Sequence, residues 1–314
     1  MNITILGGGS WGTALAVHLA RNDHHPKIWE FVPEQARKMQ EERVCPLLPE
    51  VRLPDTIFVS PIMGEALAGA ELILIAVPSH TVEATLEQAK SFMGAQPLII
   101  CSKGFASNLR LLSEVAKEKV SGKVYCFYGP THAEEVCKGM FSGAVLAGGA
   151  GKARLRKVFA SPAFKVELSN DIVGVQISAA LKNILAVFIG VLDGMGAGDN
   201  AQAYVMTKGL HEIQQVGLRW GARRETFYGL AGLGDVIVTC SSRHSRNRHV
   251  GEQVGKGRRL DEVIAEMNMV AEGVTAVKEA IHLKQKFGVE LPIITGLYQI
   301  LFEQKNPHDV LKGI

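Results

Sequence analysis

A glycine-rich segment near the start of the chain constrains the fold more than any other feature. Residues 7–12 read Gly-Gly-Gly-Ser-Trp-Gly and fit the spacing G-x-G-x-x-G. An apolar, strand-like run at residues 2–6 precedes the segment, and helical spacing of apolar residues follows it from Ser10 to Asn22. A glycine loop between a strand and a helix predicts a dinucleotide-binding turn, because unpaired amides at a helix N-terminus attract phosphate.

The three spaced glycines have separate predicted roles. Gly7 allows the sharp turn, Gly9 lets the backbone approach a pyrophosphate, and Gly12 lets the helix pack closely on the strand. The alternative is an ordinary glycine-rich turn without a ligand.

The end of the second predicted strand bears on the choice between NAD and NADP. Glu30 stands 18 residues past Gly12, close to where an acidic side chain meets the ribose hydroxyls of a bound cofactor. A carboxylate there would repel a 2′-phosphate, which favours NAD. Glu30 could instead be a solvated residue at the end of the strand. The neighbouring Phe31 could cover the adenine face or belong to the core.

The order of the predicted elements indicates an α/β fold. Strand-like and helix-like segments alternate through the first half of the chain, as in a mostly parallel sheet with helices on both faces. From about residue 171 onward, apolar helical segments dominate. We therefore predict a dinucleotide-binding domain over residues 1–170 and an all-helical domain over residues 171–314.

Charge and cysteine content exclude several classes of function. Lys and Arg number 34 against 31 Asp and Glu, so the chain lacks the strongly basic character of a nucleic-acid binder. The five cysteines are scattered and form no C-x-x-C pair, which argues against a disulfide framework and a zinc site and favours a reducing compartment. The sequence shows no coherent set of metal ligands, and its first residues do not resemble a secretory signal.

The apolar stretch over residues 172–192 is long enough for a membrane span but carries Gln176, Lys182 and Asn183 near its middle. Such residues are costly against lipid, so we expect a helix buried in the protein. Burying an ammonium costs free energy unless the charge is paired. Desolvation favours the neutral amine that a general base requires, so a buried Lys182 suggests a role in proton transfer. The alternative for Lys182 is a side chain that reaches the surface from a helix end.

A second lysine follows a predicted strand. Lys103 comes directly after the strand at residues 97–101, and parallel strands present ligands at their carboxyl ends. A surface position is the alternative. His132, in the segment Gly-Pro-Thr-His-Ala at residues 129–133, could donate a proton, but we prefer Lys182 for that role.

Two segments of the second half are suited to a phosphorylated substrate. A glycine-rich turn ends in Asp235, whose carboxylate could orient a lysine or bind a substrate hydroxyl. Further on, Ser245, Arg246 and Asn247 offer a hydroxyl, a guanidinium and an amide in succession, and the guanidinium fork suits phosphate. The alternative is a solvated loop.

The motifs taken together resemble those of the NAD(P)-dependent glycerol-3-phosphate dehydrogenases, most closely the bacterial soluble type. They are G-G-G-S-W-G-T-A-L-A (7–16), A-V-P-S-H (76–80), S-K-G (102–104), G-P-T-H-A-E-E-V (129–136), A-A-L-K-N (179–183), G-L-A-G-L-G-D (229–235), T-C-S-S-R-H-S-R-N (239–247) and A-E-G-V (271–274). The resemblance runs from Met1 to about Glu303. It implies a Rossmann-type domain followed by a helical domain.

The resemblance also implies an activity and a set of site residues. The activity is hydride transfer between sn-glycerol 3-phosphate and dihydroxyacetone phosphate with NAD or NADP, and Lys182 is the implied proton acceptor. Implied substrate contacts are Lys103, Gly129, Thr131, Lys182, Asn183, Asp235, Thr239, Ser245, Arg246 and Asn247. Implied cofactor contacts are Gly7, Gly9, Ser10, Trp11, Gly12, Phe31, Lys103, Ala133, Arg246, Val270 and Glu272. A homodimer, a cytoplasmic location and a role in phospholipid synthesis come with the family.

Two other interpretations remain open at this stage. The chain could be a dehydrogenase of a related phosphorylated 3-hydroxyacid, or a non-catalytic sensor that binds NADH. Bacterial members of the family often carry His or Arg at the position of Phe31 and a small residue at that of Glu30, so this chain departs from them where the cofactor is chosen.

Overall fold

The computed structural model describes residues 1–242, 245–267 and 272–314. It divides the chain into two compact units, Met1–Ile172 and Val173–Ile314.

The first unit alternates strands and helices. Its strands are β1 (Asn2–Leu6), β2 (His25–Trp29), β3 (Val44–Cys45), β4 (Leu48–Arg52), β5 (Phe58–Ser60), β6 (Leu72–Ile75), β7 (Leu98–Ile100), β8 (Phe105–Ala106), β9 (Arg110–Leu111), β10 (Val124–Tyr128), β11 (Ser142–Gly148) and β12 (Phe164–Ser169). Its helices are α1 (Ser10–Arg21), α2 (Pro33–Glu41), α3 (Met63–Leu67), α4 (Val82–Ala89), α5 (Leu112–Lys119), α6 (Ala133–Lys138) and α7 (Lys152–Phe159).

Eight strands form one sheet in the order β12-β11-β10-β7-β6-β1-β2-β5. All neighbouring strands pair in parallel except β10 and β11, which are antiparallel. The predicted mostly parallel sheet is therefore confirmed. Strand β1 has β2 on one side and β6 on the other, so the strand order reverses beside it. In open α/β sheets, ligands bind at such a reversal, beyond the carboxyl ends of the strands.

Burial explains why these segments form central strands. All four residues of β6, Leu-Ile-Leu-Ile, are buried, as in a parallel strand covered on both faces. Strand β1 exposes only its first residue. The hairpins β3–β4 and β8–β9 lie outside the main sheet, and their short strands left no clear periodic signal in the sequence.

The described residues of the second unit form helices and connecting loops without a strand, as predicted. Its helices are α8 (Ile172–Met195, which begins one residue before the boundary), α9 (Asp199–Arg219), α10 (Asp235–Ser241), α11 (Arg246–Gly255), α12 (Leu260–Ala265), α13 (Glu272–Phe287), α14 (Pro292–Phe302) and α15 (Pro307–Gly313). A 3₁₀ segment (Arg224–Tyr228) and a π-helical turn (Leu230–Gly234) lead into α10.

Helix α8 is apolar nearly all round. By length and composition alone it could cross a membrane, with a mean hydropathy of 1.9 over its most apolar window. Within the protein, however, 89% of that window is buried. This burial confirms the expectation of a helix inside the protein. An apolar core helix passes the same test of length and composition as a membrane span.

Candidate active site

The glycine loop at the carboxyl end of β1 is shaped by two close backbone approaches. Gly7 has φ +118°, and a Cβ there would lie 2.9 Å from backbone atoms of Ala76 and Val77, just beyond β6. A Cβ on Gly12 would lie 2.0 Å from the Gly7 carbonyl oxygen. Side chains at these two positions are excluded by packing, so α1 begins directly against the strand end.

The space in front of the loop is open. Gly9 precedes α1 as its N-cap without a capping side chain, and the first turn carries no acidic residue. A Cβ built on Gly9 would meet no atom within 4 Å. The first amides of a helix have no partners within it, and the helix dipole is positive at this end. These features fit a pyrophosphate. The Trp11 Nε1, in the same turn, is buried and lacks a hydrogen-bond partner among the described residues.

Glu30 braces this loop. Its Oε2 accepts a hydrogen bond from the Gly8 amide at 3.1 Å, and its Oε1 accepts one from the Val32 amide at 2.9 Å. The residue is only 7% exposed, so the alternative of a solvated strand-end residue is wrong. Burial raises the pKa of the carboxyl, while the two amides partly offset that rise. Phe31 is 69% exposed, so its alternative, membership of the core, is also wrong.

Further predicted site residues follow the carboxyl ends of neighbouring strands. Lys103 comes after β7, and Gly129 comes after β10, which pairs with β7 in parallel. A Cβ on Gly129 would lie 2.6 Å from the Gly143 carbonyl oxygen, which explains the glycine. Thr131 donates from Oγ1 to the Gly129 carbonyl at 3.2 Å, and the buried Ala133 begins α6. The sheet thus brings Lys103, Gly129, Thr131 and Ala133 to the same edge as the glycine loop.

In the second unit, Lys182 of α8 lies at the centre of a buried polar cluster. Its Nζ donates to Asp235 Oδ1 at 2.5 Å and to Thr239 Oγ1 at 2.6 Å. The hydroxyl of Thr239 in turn donates to the Asp235 carbonyl oxygen at 2.6 Å. Lys182 is 4% exposed, Asp235 1% and Thr239 6%, so the predicted burial of the lysine is confirmed.

The Asp235 carboxylate contacts the lysine, as one of its two interpretations expects, and α10 places Asp235 and Thr239 one turn apart on the face toward Nζ. Lys182 is therefore a fixed amine with a defined direction rather than a flexible surface side chain. The second interpretation of Asp235, a contact with a substrate hydroxyl, stays a prediction.

The Ser-Arg-Asn segment forms the start of α11. Ser245 is the N-cap, and its Oγ accepts from the Arg248 amide at 3.3 Å. Arg246 is the exposed first residue of the helix. Asn247 accepts the Gly273 amide on its Oδ1 at 2.9 Å, which turns its amide nitrogen away from α13. A cation and two side chains that can donate thus gather at one helix N-terminus, an arrangement suited to a phosphate.

Asn183 joins α8 to the start of α13. Its Nδ2 donates to Glu272 Oε2 at 3.3 Å, so these two predicted residues lie together. Val270, the remaining predicted cofactor contact, lies outside the described residues.

Sequence reasoning missed an ion pair beside the Ser-Arg-Asn segment. Arg248 Nε lies 2.6 Å from Asp193 Oδ2, near the end of α8. The three-residue spacing from Ser245 to Arg248 is typical of a helix N-cap and is the only local signal. No group of three or more His, Cys, Asp or Glu side chains within the described ranges is placed to hold a metal ion.

Comparisons with known proteins agree over both units. The family model described as the N-terminus of NAD-dependent glycerol-3-phosphate dehydrogenase matches residues 2–153, and that of the C-terminus matches residues 171–312. The glycerol-3-phosphate dehydrogenase [NAD(P)+] of Pelodictyon phaeoclathratiforme is 41% identical, with 97% of this chain and 94% of that protein covered. That of Geobacillus thermodenitrificans is also 41% identical, with 100% and 94% covered.

A solved structure shares the whole architecture. The crystal structure of glycerol-3-phosphate dehydrogenase from Coxiella burnetii is similar with a TM-score of 0.95 at 32% identity, and the match covers 99% of this chain and 98% of that one. Both family models match, and relatives above 30% identity cover nearly the whole chain, so the chain belongs to the NAD-dependent glycerol-3-phosphate dehydrogenase family.

Proposed function

We propose that the chain interconverts sn-glycerol 3-phosphate and dihydroxyacetone phosphate, with NAD or NADP as the hydride carrier. The observation that carries this proposal is the buried ammonium of Lys182 held by Asp235 and Thr239. Burying a charged amine costs free energy, and the contacts with Asp235 and Thr239 offset part of that cost. The family's reaction moves a proton at the substrate O2, which is a functional reason for an amine in this position.

Lys182 is the proposed proton-transfer residue. During oxidation of the alcohol the neutral amine accepts the hydroxyl proton, and during reduction of the ketone the ammonium returns it. Positioned acid–base help of this kind contributes about 10²–10⁴ in rate. Asp235 and Thr239 fix the direction of Nζ, and Asn183, the next residue on α8, is a further proposed contact for the substrate.

The N-terminus of α11 is the proposed site of the substrate phosphate. Arg246 supplies charge, while Ser245 and Asn247 supply uncharged donors. Binding the phosphate away from the reacting carbon orients that carbon, which lowers the barrier to the chemical step. Lys103, Gly129 and Thr131 are the substrate contacts proposed on the first unit.

The glycine loop is the proposed pyrophosphate site. The amides that follow Gly9 would hold the phosphates, together with Ser10 and Trp11. When bound, the nicotinamide supplies or accepts the hydride. The exposed ring of Phe31 is suited to the adenine face. Lys103, Ala133, Arg246, Val270 and Glu272 are the other proposed cofactor contacts.

The wider role follows from the family. The product glycerol 3-phosphate would supply the backbone of phospholipids. All five cysteines are buried free thiols, which supports the cytoplasm as the compartment. A homodimer through the helical unit is also proposed. Exposed apolar side chains such as Tyr204, Tyr228 and Ile237 offer surface for it, and light scattering after size-exclusion chromatography would measure it.

A coupled assay tests the activity. Purified protein is mixed with dihydroxyacetone phosphate and either NADH or NADPH, and oxidation of the cofactor is followed by absorbance. We expect turnover, and we expect Lys182→Ala to lose most of it while still binding cofactor. Lys208→Ala, which removes an exposed lysine from α9, is the matched control.

Three outcomes would contradict the proposal. Turnover of a phosphorylated 3-hydroxyacid in place of dihydroxyacetone phosphate would favour the related dehydrogenase. Tight NADH binding without turnover of any phosphorylated ketone would favour the sensor. Wild-type rates for Lys182→Ala would remove that residue from proton transfer.

A further inference from the structure

Helices α8 and α11 touch backbone to backbone. A Cβ on Gly190 of α8 would lie 2.0 Å from the Arg248 carbonyl oxygen, and one on Gly251 of α11 would lie 1.9 Å from the Val187 carbonyl oxygen. Gly194 and Gly255 repeat the arrangement one turn further along. No side chain intervenes at these points, so the two helices have one close-packed register.

The guanidinium of Arg248, on α11, forms hydrogen bonds with both α8 and α10. Its Nε donates to Asp193 Oδ2 on α8 at 2.6 Å, and its Nη1 donates to the Ser241 carbonyl oxygen at the end of α10 at 3.2 Å. Asp193 is itself held, because its Oδ1 accepts from Gln202 Nε2 of α9 at 2.7 Å. One partly buried side chain therefore connects the start of α11 to α8 and α10.

These three helices carry the groups proposed for the reaction. Lys182 lies on α8, about three turns before Asp193. Helix α10 begins at Asp235. The Ser245–Asn247 segment immediately precedes Arg248, whose own amide is bound by the Ser245 side chain. The contacts of Arg248 thus determine where the segment lies relative to the amine.

We propose that Arg248 and Asp193 are positioning residues, which hold the phosphate-binding start of α11 at a fixed distance from Lys182. This inference rests on the proposed function of that segment. The planar guanidinium donates in two directions at once, to a carboxylate and to a carbonyl, which a lysine ammonium on a flexible stem does not reproduce in the same geometry. A displacement of about 1 Å between phosphate site and reacting group can cost about 10² in rate.

The test compares Arg248→Met, Arg248→Lys and Asp193→Asn with the wild type. The matched control is Arg258→Met, which removes another partly exposed arginine of the same unit from its ion pair with Glu266. KM and kcat are measured for dihydroxyacetone phosphate and for NADH. Inorganic phosphate is used as a probe of the phosphate site, both as a competitive inhibitor and as a stabiliser in thermal unfolding.

We expect Arg248→Met to raise the KM for dihydroxyacetone phosphate and the inhibition constant of inorganic phosphate by about 10–100-fold. The KM for NADH should rise less, because Arg246 is the only proposed cofactor contact in the displaced segment. Arg248→Lys and Asp193→Asn should move the same constants in the same direction by less. The double variant Arg248→Met/Asp193→Asn should resemble Arg248→Met, because the two residues act through one contact.

Equal changes for Arg258→Met, or unchanged constants in folded Arg248→Lys and Asp193→Asn, would overturn the inference. So would equal rises in the KM for dihydroxyacetone phosphate and the KM for NADH, which indicate general loss of structure. The thermal readout separates this proposal from the activity itself. If the wild type turns over no phosphorylated ketone but inorganic phosphate stabilises it and not Arg248→Met, the proposed function fails and the positioning role stands.

Discussion

The ammonium of Lys182 lies 2.5 Å from Oδ1 of Asp235, and the two side chains expose only 5% and 1% of their surfaces. Both charged groups have lost their hydration, and the attraction between them offsets part of that cost. Removing one partner of such a pair strands a buried charge, whereas replacing both with neutral groups does not. Stability and catalysis should therefore respond differently to the same substitutions.

Lys182→Met should lower the free energy of unfolding by about 3–5 kcal/mol, because it removes the ammonium that compensates the buried Asp235 carboxylate. Lys182→Met/Asp235→Asn should recover most of that loss but none of the turnover. Urea unfolding and the dehydrogenase assay measure the two quantities. Recovery of activity in the double variant would contradict the role of the amine.

Gly9→Ala should separate folding from cofactor binding. The position has room for a Cβ in the protein itself, so the melting temperature should hardly change. The added methyl group would occupy the space proposed for the pyrophosphate, so the Kd for NADH, measured by fluorescence titration, should rise at least about tenfold.

Gly12→Ala is the comparison for that variant. Its Cβ would collide with the Gly7 carbonyl oxygen, so destabilisation of about 1–3 kcal/mol should accompany weaker binding. If Gly9→Ala binds NADH as the wild type does, the pyrophosphate does not occupy this loop.

Glu30 should make the protein prefer NAD. Its buried carboxylate contacts the Gly8 amide and lies at the end of β2, where a 2′-phosphate would meet negative charge. Glu30→Gln keeps an acceptor oxygen and removes the charge, so the ratio of kcat/KM for NAD over NADP should fall about tenfold, or about 1.4 kcal/mol. An unchanged ratio would mean that Glu30 supports the loop without choosing the cofactor.

Stability should fall as pH rises through neutrality because of Glu212 on α9. Its carboxylate accepts the amides of Ile293 at 2.7 Å and Ile294 at 3.0 Å, at the first turn of α14. Burial nevertheless raises the pKa of Glu212 to about 7, from an ordinary value of 4.5. The folded protein then holds a proton that the unfolded chain has released, so this contribution is complete below about pH 4.5 and is lost as pH rises through about 7.

Glu212→Gln should remove that dependence. The neutral amide does not titrate, so the stability of the variant should stay nearly constant between pH 5 and pH 8, whereas the wild type should lose about 2–3 kcal/mol over the same range. The amide has one acceptor oxygen for the two backbone amides, so the variant should also lose one hydrogen bond at both pH values. Urea unfolding at both pH values measures the difference. Glu279→Gln offers an independent comparison, since burial and then the charge of Glu272 raise the pKa of Glu279 to about 7.

Several features were predictable because they depend on neighbours in the chain. The glycine loop lies between a strand and a helix, and its spacing matches the close approaches that Gly7 and Gly12 make. The apolar run around Lys182 indicated a buried amine, since lipid was excluded by its polar residues. The alternation of strands and helices indicated the parallel sheet.

Other features depend on residues far apart in the sequence. The contact of the Asp235 carboxylate with Lys182, 53 positions away, depends on the packing of α8 against α10. The sequence suggests that the Glu30 side chain meets a ribose or lies in solvent. In the structure its carboxylate accepts a hydrogen bond from the Gly8 amide, 22 positions away. Nothing in the sequence indicated that Arg248 and Asp193 form an ion pair.

The sequence by itself determined the fold class, the glycine loop and the burial of Lys182, because hydrophobic periodicity and glycine spacing act within a few residues along the backbone. Only the tertiary structure decided which carboxylate holds Lys182, where the side chain of Glu30 points, and how Arg248 joins three helices. Those contacts follow from the close packing of segments that are far apart in the sequence, and the register of α8 and α11 at Gly190 and Gly251 is a further example.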